Sequence, residues 1–141
     1  LDKAGYGNAD TSGGIDKFWL SGGLRITHKQ QIVFLKRLHD NKLPFSQRNM
    51  AIVKRIMIQK DTNTYTLRAK TGWSLQEGND IGWYVGYIET KGNVYYFSNC
   101  VQLSSEKMNR EEQAEMFVSS RKAIALSILS KLGIIEVGEY R

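Results

Sequence analysis

Two aromatic-rich segments, residues 81–90 and 94–103, flank the tripeptide Lys91-Gly92-Asn93. That spacing constrains the fold more than any other feature of the chain. A turn this short joins neighbouring antiparallel strands, because a parallel pair needs a crossover of roughly a dozen residues or more. The first of the two segments is dense in Trp83, Tyr84, Val85, Tyr87 and Ile88, residue types that suit a pleated, half-buried surface. Upstream, Tyr65, Leu67 and Ala69 alternate with Thr66, Arg68 and Lys70, so a further strand is predicted there.

Helical patterns surround these strands. Thr27 reads as an N-cap for a helix ending near Asn41, with Ile32, Leu35 and Leu38 on its apolar stripe and Val33 and Phe34 widening it. Leu43-Pro44-Phe45 breaks that helix, and Ser46 caps a second one with apolar positions Met50, Val53 and Met57. A last helix is predicted over residues 109–132, ended by Gly133. The opening stretch, residues 5–23, is rich in Gly, Asn, Asp and Ser and reads as loop with one short helical turn over residues 15–20. The order is loop, two helices, a three-stranded antiparallel sheet and one long helix. This is an α+β chain, an antiparallel sheet with helices packed on it.

Composition narrows the function classes. A chain of 141 residues with 41% hydrophobic and 24% charged residues is globular rather than disordered. No apolar run approaches the roughly 20 residues that a membrane helix needs. The lone Cys100 excludes an intrachain disulfide framework and a zinc cluster built on several cysteines; in a strand it reads as a small buried residue. His28 and His39 lie eleven apart on one helix without ligand partners at metal spacing, and both read as surface histidines. The net charge is +6, and eleven basic residues fall between Arg25 and Lys70 against only Asp40 and Asp61. The bases are not interleaved with aromatics as a nucleic-acid stacking platform requires. They read as a solvated surface, compatible with a small anionic substrate, and no nucleic-acid partner is expected.

The residues with chemical promise are few. Lys70-Thr71-Gly72 stands at the predicted end of the first strand. Lys70 offers a fixed cation, Thr71 a hydroxyl, and the backbone N–H of Trp73 a donor for an oxyanion. Gly72 leaves room for a substrate against the strand. Tyr6-Gly7-Asn8 lies in the polar loop, thirteen residues before Trp19 in Phe18-Trp19-Leu20. Arg121 sits on the last helix, within reach of the first strand if that helix packs across the sheet, and a guanidinium suits a carboxylate because it presents a bidentate fork. Taken alone, Trp19 reads as a core aromatic.

Together these residues resemble the class D (oxacillinase-type) β-lactamases of the penicillin-recognising serine enzymes. The resemblance rests on Tyr6-Gly7-Asn8, the run from Ser12 through Trp19-Leu20, Lys70-Thr71-Gly72-Trp73, Gly82-Trp83-Tyr84-Val85-Gly86-Tyr87, and Arg121 ahead of Leu132-Gly133-Ile134-Ile135. Lys-Thr-Gly is shared with class A enzymes and penicillin-binding proteins. The resemblance implies a β-lactamase/transpeptidase-like fold and hydrolysis of β-lactam antibiotics through an acyl-enzyme. A serine attacks the lactam, and a lysine carboxylated by CO2 acts as general base; no other cofactor is implied. Trp19 matches the tryptophan that stabilises the carbamate. Lys70, Thr71 and Gly72 match the strand lining the substrate carboxylate, Arg121 the arginine that binds it, and Trp73 the oxyanion-hole position. Tyr6-Gly7-Asn8 and Leu20 match the active-site wall. A periplasmic or secreted bacterial location is implied as well.

The family's Ser-x-x-Lys and Ser-x-Val elements belong before Tyr6, where only five residues stand. Ser104 precedes Lys107 by three, but in a predicted loop after a strand, and it is rejected as nucleophile. The expectation is therefore that residues 1–141 form the C-terminal part of one such domain, with no separate second domain. Such a piece is expected to be inactive alone, and either to pair with its missing N-terminal half or to self-associate through exposed strand edges. Two alternatives stand beside the enzyme reading. One is the extracellular β-lactam-sensing domain of a membrane receptor, acylated but slow to turn over. The other is a basic nucleic-acid-binding domain.

Overall fold

The computed structural model describes residues 1–76, 78–104 and 110–136. After a short 3-10 turn (Asp2–Ala4) come α1 (His28–His39), α2 (Gln47–Ile56), β1 (Ile58–Asp61), β2 (Tyr65–Gln76), β3 (Asn79–Thr90), β4 (Asn93–Ser104) and α3 (Arg110–Lys131). The strands form one antiparallel sheet in the order β1-β2-β3-β4. The α+β architecture is as expected, with one strand more than the sequence indicated.

Local chemistry explains the helix starts. The Gln30 backbone N–H donates to Thr27 Oγ1 (3.2 Å), while the Thr27 N–H donates back to Gln30 Oε1 (2.9 Å), a reciprocal capping box. Ser46 Oγ accepts from the Asn49 N–H at 3.2 Å to start α2. At the far end of α3, Gly133 takes φ +70°. The Ile134 N–H then returns to the Leu129 carbonyl at 3.0 Å, which satisfies an otherwise orphaned acceptor. The hairpin between β3 and β4 turns on Lys91-Gly92, with Gly92 at φ +109°.

The missed strand β1 is four residues long and shows no alternation of burial. It pairs Ile58 with Arg68, Lys60 with Leu67 and Asp61 with Thr66, and its register shifts between Ile58 and Lys60. A bulge erases the period-two pattern by which a strand is read from sequence. The strand carrying Lys70 also runs further than expected. Gly72 is not among the glycines with positive φ, so it makes no turn, and β2 continues to Gln76.

The chain forms two compact units: Leu1–Lys70 with Val85–Ser98, and Thr71–Tyr84 with Asn99–Arg141. In the first, Leu35, Leu38, Leu43, Met50 and Met57 surround Tyr87, with Phe34, Val85, Val94 and Tyr96 packed against them. The apolar stripe of α1 is rotated slightly from the expected one: Gln31 is buried beside Leu35 and Leu38, while Val33 is exposed, as is Val53 on α2. In the second unit Tyr84, Phe117, Ala125, Leu129 and Ile135 are buried. Gly82 is required there, because a Cβ at this position would run into the Phe117 ring.

Candidate active site

The polar loop is organised by Tyr6-Gly7-Asn8. The Tyr6 hydroxyl donates to Gln31 Oε1 (3.0 Å), and its ring meets Phe34 edge-on with centroids 4.8 Å apart. Burial pushes the Tyr6 phenol up from its ordinary value, so it remains a proton donor at neutral pH. Gly7 has φ +59°, and a Cβ there would collide with the Arg25 backbone carbonyl. Asn8 closes the loop from both sides. Its N–H donates to the Arg25 carbonyl (2.9 Å), its Oδ1 accepts from the Arg25 N–H (3.0 Å), and its Nδ2 donates to the Gly23 carbonyl (2.9 Å).

The tip of this loop contains the expected turn, with the Phe18 N–H bonded to the Gly14 carbonyl at 2.9 Å. Trp19 contacts Phe18 edge-on (4.8 Å) yet is 57% exposed, and Leu20 is exposed as well. Within these 141 residues Trp19 is therefore an exposed aromatic rather than a core one.

Lys70-Thr71-Gly72-Trp73 lies inside β2 rather than at a strand end. Lys70 is exposed, and Thr71 and Gly72 are half-buried. A Cβ at Gly72 would meet Trp83 Cβ at 3.5 Å, an ordinary contact. Neither backbone conformation nor packing among the described residues demands glycine at this position.

Arg121 reaches the same strand. Its Nη1 donates to the Gly72 carbonyl at 2.6 Å, and Asn99 Nδ2 donates to the Arg121 carbonyl at 2.8 Å, anchoring α3 at that level. The side chain is buried, with the residue 6% exposed, and burial pulls its pKa below the ordinary arginine value. Its Nε has no partner among the described residues. A guanidinium makes its strongest bonds to anions such as a carboxylate, and this one keeps an unused donor among the described residues.

Trp73 is fixed next to this arginine's strand contact. Its Nε1 donates to Asp80 Oδ1 at 2.6 Å, and its ring leans on Phe117 with centroids 5.5 Å apart and planes at 48°. Asp80 was not singled out in the sequence. The only signal available was its place across the β2–β3 connection from Trp73, which is usable once the strand is known to extend beyond Gly72.

Ser119 stands three residues before Lys122, as Ser104 does before Lys107, and the sequence reading passed over it. Its geometry excludes it as a nucleophile. Ser119 is in mid-helix, its Oγ donates to the Glu115 and Met116 carbonyls (2.9 and 3.1 Å), and Lys122 Nζ sits over the Tyr84 ring at 6.0 Å. Residues 105–109, which include Lys107, lie outside the described residues. Cys100 is only partly buried, and desolvation pushes its thiol up, away from thiolate chemistry.

Neither histidine is placed as a metal ligand. His28 Nδ1 lies 3.1 Å from the Ser98 carbonyl, and His39 lies between Asp40 and Glu89 (2.9 and 3.5 Å). No group of three potential ligands occurs among the described residues. Several central bases serve the fold. Arg68 pairs with Glu89 (2.7 Å) and donates to the Lys54 carbonyl (2.7 Å). Arg37 donates to the Ala4 carbonyl (2.7 Å), and Lys54 to the His39 carbonyl (3.2 Å).

Comparison with known proteins gives the family. The penicillin binding protein transpeptidase domain matches residues 1–122. The chain belongs to that family, and within it the relatives found are class D β-lactamases. The chain is 40% identical to β-lactamase OXA-48 of Klebsiella pneumoniae over 130 residues, covering 92% of this chain and 46% of that protein. It is 41% identical to the probable β-lactamase YbxI of Bacillus subtilis, covering 96% of this chain and 45% of that one. Among solved structures, the class D β-lactamase of Sebaldella termitidis superposes with a TM-score of 0.85 at 39% identity, over 96% of this chain and 53% of the other. The chain thus spans about half the length of the relatives it matches.

Proposed function

We propose that the whole protein is a class D serine β-lactamase that opens the β-lactam ring through an acyl-enzyme and releases it with water. The observation that carries this reading is the contact of the buried Arg121 guanidinium with the Gly72 carbonyl at 2.6 Å. It sets an anion-binding cation on the Lys-Thr-Gly strand. Thr71 shares the carboxylate with Arg121 in this reading, and the Trp73 N–H faces the oxyanion. Gly72 supports it, because nothing among the described residues explains the missing side chain there. An edge-on substrate does.

In this reading the nucleophilic serine and the CO2-carboxylated lysine come from sequence outside these 141 residues, and Trp19 donates its indole N–H to the carbamate. Its exposure leaves the indole available for such a partner. The whole protein acts in the periplasm or outside the cell, where β-lactams are met. No helix among the described residues is long and apolar enough to cross a membrane.

The test is steady-state hydrolysis of a chromogenic cephalosporin by the whole protein, with and without added bicarbonate. Turnover that rises with bicarbonate supports a carbamate base. No turnover of any penicillin or cephalosporin contradicts the proposal.

A further inference from the structure

We propose that Asp80 is a positioning residue for substrate selectivity: it fixes the Trp73 indole as a rigid wall for an aromatic or apolar acyl side chain of the β-lactam. This rests on the β-lactamase reading above. An indole has a single N–H and no acceptor. That N–H is spent on a carboxylate oxygen at 2.6 Å, a charge-assisted bond. A second, independent contact comes from Phe117, 5.5 Å away, itself wedged over Gly82, where no Cβ fits. Two anchors therefore hold the ring in one orientation.

Even so, Trp73 remains 42% exposed. A large aromatic surface left open to solvent while its polar atom and one neighbour are locked is pre-organised for a ligand, because its ordering entropy is already spent. Its position selects which part of the ligand it meets. Trp73 follows Gly72, whose carbonyl holds Arg121, and shares the face of β2 with Thr71, since side chains two apart point the same way. Arg121 and Thr71 engage the carboxylate side of a β-lactam nucleus, so an aromatic further along the strand is available to the substituent. Aromatic pairs prefer offset or edge-on geometry and reward a flat partner beyond simple burial.

The test compares benzylpenicillin, which carries a phenyl group, with 6-aminopenicillanic acid, which has the same nucleus and no acyl group. Both are measured on the whole protein. Asp80→Ala is expected to lower the ratio of their kcat/KM values about fivefold, mainly through KM for benzylpenicillin. Asp80→Asn, which keeps an acceptor oxygen, restores the ratio to within about twofold. In the unsubstituted protein the Trp73 indole proton is expected to exchange with solvent more slowly than in an unstructured peptide, a reading that needs no variant to fold. An unchanged ratio in Asp80→Ala, equal loss in Asp80→Ala and Asp80→Asn, or an unprotected indole overturns the proposal. Absence of turnover with both penicillins overturns the β-lactamase reading instead, and the exchange rate still reports whether the ring is anchored.

Discussion

Arg121 Nη1 donates to the Gly72 carbonyl oxygen at 2.6 Å, binding α3 to the interior of β2. The bond uses one of five guanidinium N–H donors, and Nε, also buried, has no partner among the described residues. The consequence is chemical as well as structural. The arginine is positioned by the strand and keeps an unused donor, which the proposed function assigns to the substrate carboxylate.

Arg121→Ala in the whole protein is expected to lower kcat/KM for β-lactams by roughly 10- to 100-fold, the range for losing charge-assisted bonds to a carboxylate. Arg121→Lys should recover little, because an ammonium lacks the planar fork. Steady-state kinetics on the two variants check this. Full activity of Arg121→Ala would remove the arginine from substrate binding.

Two glycines are expected to behave oppositely. Gly7→Ala places a side chain at φ +59° against the Arg25 carbonyl, and should cost about 1–3 kcal/mol of stability. Gly72→Ala meets only an ordinary contact at 3.5 Å. It should shift stability by less than about 1 kcal/mol while depressing β-lactam turnover. Denaturant melts paired with kinetics decide it; a large stability loss for Gly72→Ala would make that glycine structural.

Burial pushes the Tyr87 phenol up to about 12 from 10.0, with Glu89 adding to the shift. Its hydroxyl has no partner among the described residues. The folded state therefore holds this proton to higher pH than the unfolded chain. The stabilisation is complete below about pH 10 and is lost as pH rises towards about 12, amounting to roughly 2–3 kcal/mol. Urea melts across that window, compared between wild type and Tyr87→Phe, check it. Equal slopes for both would dissociate the loss from Tyr87.

The 141-residue chain alone is expected not to hydrolyse a chromogenic cephalosporin. The serines that precede a lysine by three, Ser104 and Ser119, are not placed as helix-start nucleophiles. β1 is a short edge of the sheet that begins at exposed Ile58 and follows Ile56, which is 70% exposed. The isolated chain should therefore self-associate or recruit a complementary half rather than sediment as one stable monomer. Turnover above a buffer blank, or a single monomeric species, would contradict this.

Those parts of the molecule governed by neighbours in sequence were legible. Thr27 and Ser46 announced α1 and α2 because capping is settled within three residues. Lys91-Gly92 announced the hairpin because the turn leaves one topology. Gly133 ended α3 as expected. The rest depended on partners distant in sequence. Lys70-Thr71-Gly72 looked like a strand end, and only the pairing that carries β2 to Gln76 makes it strand interior. β1 was hidden by its bulge. Of the site, Arg121 was legible down to the strand it contacts, whereas Asp80 acquires meaning only through the Trp73 indole it accepts from. Trp19 illustrates the opposite failure. Hydrophobicity alone placed it in a core, whereas within these 141 residues it is exposed and its ring meets only Phe18 among the described aromatic contacts.

The most direct test of the central claim is the intact mass of the whole protein followed over time after mixing with benzylpenicillin. A class D β-lactamase should gain the mass of one penicillin and then return to its starting mass as the acyl-enzyme hydrolyses. A lasting adduct would make the protein a sensor, and the absence of both an adduct and any consumption of benzylpenicillin would contradict the account.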